Sequence, residues 1–74
     1  MSQNKPVHEI RFGCIVGSIW KNETEKGVRH NVTFSRLYFK DDTWNSTTSF
    51  GRDDLHLVAK IADVAETWIF QNSN

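Results

Sequence analysis

Only one stretch of the chain carries helical periodicity, and its apolar residues wrap further round the helix than one contact would need. Leu55, Val58, Ala62, Ala65 and Ile69 form one stripe; Leu57, Ile61, Val64 and Trp68 form a second beside it. The polar remainder, His56, Lys60, Asp63, Glu66 and Thr67, is narrow. A start is well marked: Gly51 stands at the N-cap, Asp53 and Asp54 bring carboxylates to the free N–H groups of the first turn, and Phe50 and Leu55 stand at hydrophobic-staple positions. A helix over residues 52–70 is predicted, and the rest of the chain must cover it.

The rest reads as strands. Residues 8–21 alternate, with Ile10, Phe12, Cys14 and Val16 on one side and Arg11, Gly13, Ile15, Gly17 and Ile19 on the other. Both sides are apolar, and glycine inside a strand marks a bulge or a close approach, so an interruption at Gly13 or Gly17 would hand the buried role from one set to the other. A polar loop over residues 22–27 leads to a second strand at 28–40, with Val28, His30, Val32 and Phe34 against Arg29, Asn31, Thr33 and Ser35. Asp41 and Asp42 make the next turn, and residues 43–50 form a third strand rich in hydroxyl side chains. The expected fold is α+β: a three-stranded antiparallel sheet followed by one C-terminal helix (βββα), becoming four strands if the first splits at Gly13 or Gly17. Residues 1–74 form one domain, with 1–7 and 71–74 expected to fray.

A chain of 74 residues builds a modest core, and its single cysteine, Cys14, excludes an internal disulfide. The second helical stripe, Leu57, Ile61, Val64 and Trp68, is therefore expected to meet the same helix of a second copy, making a homodimer. No apolar run reaches the ~20 residues of a membrane span and the start lacks the apolar core of a signal peptide, so a cytoplasmic protein with no membrane partner is expected.

Chemistry for catalysis is sparse. Cys14 lies mid-strand, Asp41–Asp42 read as a turn and Asp53–Asp54 as a helix start, the glycines are dispersed, and His8, His30 and His56 do not pair with Cys14 at a zinc spacing. The sequence is expected not to be an enzyme, with no catalytic residue, metal, cofactor or small-molecule substrate.

Surface chemistry is richer. The net charge is zero, but residues 1–52 hold eight Lys and Arg against five acids, whereas residues 53–74 hold Lys60 against four acids. Trp20, Tyr38, Phe39 and Trp44 interleave with Lys21, Arg29, Arg36 and Lys40, and Arg52 follows in the next segment. Aromatic rings that stack bases, beside cations that follow phosphates, hold single-stranded nucleic acid. Of these, Trp20, Lys21, Arg29, Arg36, Tyr38, Lys40, Trp44 and Arg52 are the expected nucleic-acid contacts, helped by a polar face of Arg29, Asn31, Thr33 and Ser35 with Thr43, Asn45, Thr47 and Ser49. A duplex reader using the sheet, or a protein-interaction module of a bacterial or mobile-element system, is the alternative.

The run Ile19-Trp20-Lys21-Asn22, Gly27, Asn31-Val32-Thr33-Phe34-Ser35-Arg36, Tyr38, Trp44, Thr48-Ser49-Phe50 and Asp54-Leu55 resembles a group of short, uncharacterised bacterial proteins. That resemblance implies no particular activity. Strands followed by one dimerising helix are also similar, distantly, to the single-stranded-DNA-binding domain of the transcriptional positive-cofactor family. It implies a ββββα subunit, helices paired across a two-fold, and single strands held on curved sheets. The sheet-plus-helix plan of AP2-type factors and integrase arm-binding domains, which lay a sheet in the duplex major groove, is similar in element order. It implies several Arg or Lys projecting from one sheet face.

Overall fold

The computed structural model describes residues 5–72; fraying expected at 1–4 and 73–74 lies outside them. Four strands, β1 (His8–Phe12), β2 (Ile15–Thr24), β3 (Gly27–Lys40) and β4 (Thr43–Thr47), precede a short 3₁₀ turn (Arg52–Asp54) and one helix, α1 (Leu55–Asn72). The strands form one antiparallel sheet in the order β1-β2-β3-β4, with the helix on one face.

The first predicted strand is two strands, and Gly13 is where it breaks. Gly13 has φ +61°, which L side chains rarely adopt, and Phe12 pairs with Ile15 across the two-residue turn Gly13–Cys14. The turn explains the mixed alternation: Ile10 and Phe12 before it share a face with Ile15, Gly17 and Ile19 after it. Gly17 stays in the strand for a different reason. Any Cβ there would overlap Cγ2 of Ile61, so the missing side chain lets α1 lie close against β2.

The loop after β2 is tighter than the sequence indicates, whereas the loop after β3 holds the two residues expected. β2 runs on to Thr24, leaving only Glu25 and Lys26 between Thr24 and its partner Gly27. Thr24 Oγ1 donates to the Gly27 carbonyl at 2.7 Å and accepts from the Lys26 N–H at 3.2 Å. At the other end Asp41 (φ 54°) and Asp42 (φ 61°) both take the left-handed conformation of a type I′ turn, which matches strand twist and which Asp tolerates. The third predicted strand stops at Thr47, short of residue 50.

β3 is the spine. Its 14 residues span about 46 Å at ~3.3 Å each, in keeping with the molecule's 43 × 24 × 15 Å extents. β2 pairs with it from Gly27 to Arg36 on one edge, and β4 pairs only from Arg36 to Lys40 on the other.

Among the described residues the buried hydrophobic side chains are Ile10, Ile15, Ile19, Ile61 and Ala65. Phe12, Cys14, Val32, Phe34, Phe50, Leu57, Val58, Val64, Trp68 and Ile69 pack partly buried around them. Trp68 closes the far end, stacked on His8 (ring centroids 5.0 Å apart) and edge-on to His30 (6.2 Å). The stripe expected to meet a second copy instead covers the sheet, together with Val58, Ala65 and Ile69 of the other stripe. Ile61 is fully buried and Leu57, Val64 and Trp68 join the core, because Ile61 fits the gap at Gly17.

The helix start carries its predicted signal. The Gly51 N–H donates to Asp54 Oδ2 at 2.9 Å, while the Asp54 N–H donates to the Gly51 carbonyl, also at 2.9 Å. Leu55 stays 54% exposed, whereas Phe50 packs against the core.

Candidate functional site

Register decides which side chains can act together. Residues directly opposite one another in a ladder share a face, so Arg36, Tyr38 and Lys40 of β3 share the helix side with Thr47, Asn45 and Thr43 of β4. The opposite, helix-free face collects Glu9 and Arg11 from β1, Val16, Ser18, Trp20 and Asn22 from β2, Arg29, Asn31, Thr33, Ser35, Leu37 and Phe39 from β3, and Trp44 and Ser46 from β4.

The expected site therefore divides. Trp20, Arg29 and Trp44 lie on the helix-free face; Lys21, Arg36, Tyr38 and Lys40 lie on the other. Arg52 belongs to the 3₁₀ turn, exposed and 3.8 Å from the Asp53 carboxylate. The expected polar face is also split, since the two-residue turn at Asp41–Asp42 pairs even residues of β3 with odd residues of β4. Thr43, Asn45 and Thr47 thereby leave the side of Arg29, Asn31 and Thr33.

Arg36 has a structural occupation. Its Nε donates to the Ser49 carbonyl at 3.1 Å, stands 3.5 Å from Asp54 Oδ2, and its guanidinium lies 5.9 Å from the Tyr38 ring centroid. It ties β3 to the crossover that starts the helix. Tyr38 and Arg36 thus brace one another on the helix side.

On the helix-free face the most exposed apolar groups are a pair. Phe39 (56% exposed) and Trp44 (69%) face each other across the ladder, ring centroids 5.4 Å apart and tilted by 43°. Trp20 lies near the other end, its indole N–H donating to Thr33 Oγ1 at 2.9 Å, which fixes the ring over the sheet. About eight residues of strand separate these aromatic stations, roughly 27 Å. Between them run Asn31, Thr33, Ser35 and Ser18; Ser18 donates to Glu9 at 3.2 Å. Arg29 and Arg11 supply the positive charge, against Glu9 on the same face, and Arg11 Nε also donates to the Gly13 carbonyl.

Phe39 and Arg11 were not among the expected contacts. Both follow once residues are paired across the two-residue turns at Gly13–Cys14 and Asp41–Asp42, since that pairing fixes every face. Among the described residues no group of three or more His, Cys, Asp or Glu is arranged to hold a metal ion, and no helix is long and apolar enough to cross a membrane.

A second feature lies on the helix side. α1 leaves an apolar groove of about 230 Å³ beside β3, between Val32 and Phe34 of the strand and Ala62, Glu66, Ile69 and Phe70 of the helix.

No protein-family model, curated protein or solved structure matches the chain.

Proposed function

We propose that the protein is a binding module that holds single-stranded nucleic acid on the helix-free face of its sheet. The observation that carries this reading is the exposed Phe39–Trp44 pair, on the same face as Trp20 and Arg29. A tilted, solvent-facing aromatic pair offers stacking surface that the fold does not use for its own core, and stacking is tolerant of base identity. Arg29 and Arg11 meet phosphates, and the Asn31, Thr33 and Ser35 row offers donors and acceptors to backbone or base edges. The ββββα element order is also the one that the resemblance to the positive-cofactor family implies, although the support from that quarter is element order alone.

Two arginines on the face make the electrostatic contribution small. With at most two phosphates neutralised, the log–log salt slope is no steeper than about −1.4. Stacking worth ~1–3 kcal/mol per base makes Trp44→Ala weaken binding roughly 5- to 150-fold. Fluorescence anisotropy with a labelled single strand and the matching duplex, at low and near-physiological salt, tests this. Preferential single-strand binding, lost in Trp44→Ala at unchanged melting temperature, is the expected result. Duplex preference would transfer the reading to a groove reader. Absence of binding to either at low salt would sink the nucleic-acid reading and leave the aromatic pair as a protein-contact surface, a role that its low cation count also fits.

A further inference from the structure

The long middle strand has an unpaired half. On the edge that β4 occupies from Arg36 onward, β3 has no neighbouring strand from residue 27 to residue 35 among the described residues. In an antiparallel ladder alternate residues turn their backbone groups to alternate edges. Leu37 donates its N–H to Cys14 O on the β2 side, so the odd residues of β3 point to β2. Val28, His30, Val32 and Phe34 therefore turn their N–H and C=O groups toward the open edge. Sheet edges of this kind are usually blunted by proline, a bulge or an inward lysine. This one has none, and it adjoins the apolar groove under α1.

We propose that the occupant of this edge is a second copy of the chain, joined β3 to β3 in antiparallel register about a two-fold axis at Asn31. The limits of the open window fix that register. β4 closes the edge at Arg36 and the Glu25–Lys26 turn ends it before Gly27, so the nine open residues are symmetric about Asn31. In this register Val28 meets Phe34 of the second copy and His30 meets its Val32, so every outward N–H and C=O of the four even residues is paired. The other face opposes Arg29 to Thr33 and Asn31 to itself, with no like charges facing. Val28, 52% exposed in one copy, lies against a phenyl ring in two.

The groove fits the same arrangement. α1 lies along β2, with Ile61 seated over Gly17, so two helices on one face of a joined sheet stand about 14 Å apart, three strand spacings. That exceeds the 8–10 Å of touching helices. Phe70, 73% exposed, and Phe34 line the space that has to be filled. The result is one sheet that holds the strands of both copies, six across at the two-fold with each β4 end to end with the other copy's β3, the contact being made by a strand edge and not by Leu57, Ile61, Val64 and Trp68. This inference stands apart from nucleic-acid binding.

Two measurements on the full chain test it. Sedimentation velocity at tens of micromolar is expected to give a mass near twice the 8.6 kDa of one chain; a mass near 8.6 kDa overturns the proposal. The register is tested by Asn31→Cys in a Cys14→Ala background. A non-hydrogen-bonded antiparallel pair places its Cα atoms about 4.5 Å apart, within disulfide reach. Mild oxidation is expected to cross-link Asn31→Cys and to leave the matching Arg29→Cys variant uncross-linked, because its two copies would lie more than ~7 Å apart. A dimer that fails to cross-link at position 31, or cross-links equally at 29, overturns it. Should the cysteine variants not fold, amide exchange on the unaltered chain decides. Slow exchange at Val28, His30, Val32 and Phe34 that quickens on dilution supports the edge contact, and rapid exchange at all concentrations refutes it.

Discussion

Gly17→Ala puts the packing account to a test of sign. Glycine inside a strand ordinarily costs stability, so an unobstructed alanine would stabilise the fold by roughly 0.5–1 kcal/mol. Here the added methyl overlaps Ile61 Cγ2 and comes within 3.7 Å of Ile61 Cβ and 3.8 Å of Phe34 Cδ1. Ile61 is 0% exposed and branched at Cβ, so it has no flexible end to swing away. Relief requires α1 to lift by about an ångström, and overpacking of this kind costs about 1–3 kcal/mol. Subtracting the backbone gain leaves a net loss of about 1.2 kcal/mol, or about 5–10 °C in melting temperature for a domain of this size. Thermal and urea melts followed by circular dichroism, at one fixed protein concentration, read this directly. A double-mutant cycle with Ile61→Leu supplies the control, because leucine has no second branch at Cβ. The pair is expected to be at least ~0.5 kcal/mol more stable than the two single changes add up to. If Gly17→Ala equals or exceeds the parent, or if the pair is simply additive, the close approach of α1 to β2 is misdescribed.

Gly13→Val should lower stability by about 1–2 kcal/mol, since a β-branched residue is forced to φ +61°, while Gly13→Asn should lose less; denaturant midpoints distinguish them. Space is not the issue there, because the nearest atom to an added Cβ is Leu57 Cδ1 at 3.7 Å. Asp54→Ala removes the acceptor of the Gly51 N–H and the carboxylate beside Arg36, and about 0.5–2 kcal/mol is the expected loss in the same melts. Asp53→Ala, at a carboxylate 95% exposed, should change stability by less than half a kcal/mol, and a larger effect would count against assigning the cap to Asp54.

Much of this fold can be read from residues alone. The Gly51–Asp54 start, the helix it opens and the αβ class all follow from local signals that act over three or four positions. The split at Gly13 was legible as a change of alternation, because only a reversal or a bulge can move the apolar set from even to odd positions. What the residues hid was which glycine did which job. Gly13 is required by its backbone angle and Gly17 by a neighbour distant in sequence, and nothing local separates the two. The same limit governed the helix. Two apolar stripes are visible in the sequence, but Ile61 and Trp68 are assigned to the sheet by a gap at Gly17 and by rings at His8 and His30. The candidate site suffered most, since one residue more or less in a turn exchanges the two faces of a strand. Tyr38 and Phe39 stand side by side in sequence and on opposite sides of the molecule.

The meander order has a consequence for chain entropy. Each strand pairs with its neighbour in sequence across a two-residue loop, so the three ladders close rings that are about as small as rings can be. The seating of Ile61 over Gly17 is the distant closure, and loop closure costs only about 0.6 kcal/mol for each doubling of length. Once the hairpins exist, the segment left to constrain is merely that from Thr47 to Leu55. Sheet formation thus turns a long closure into a short one, and the helix inherits an organisation that the three turns have already established.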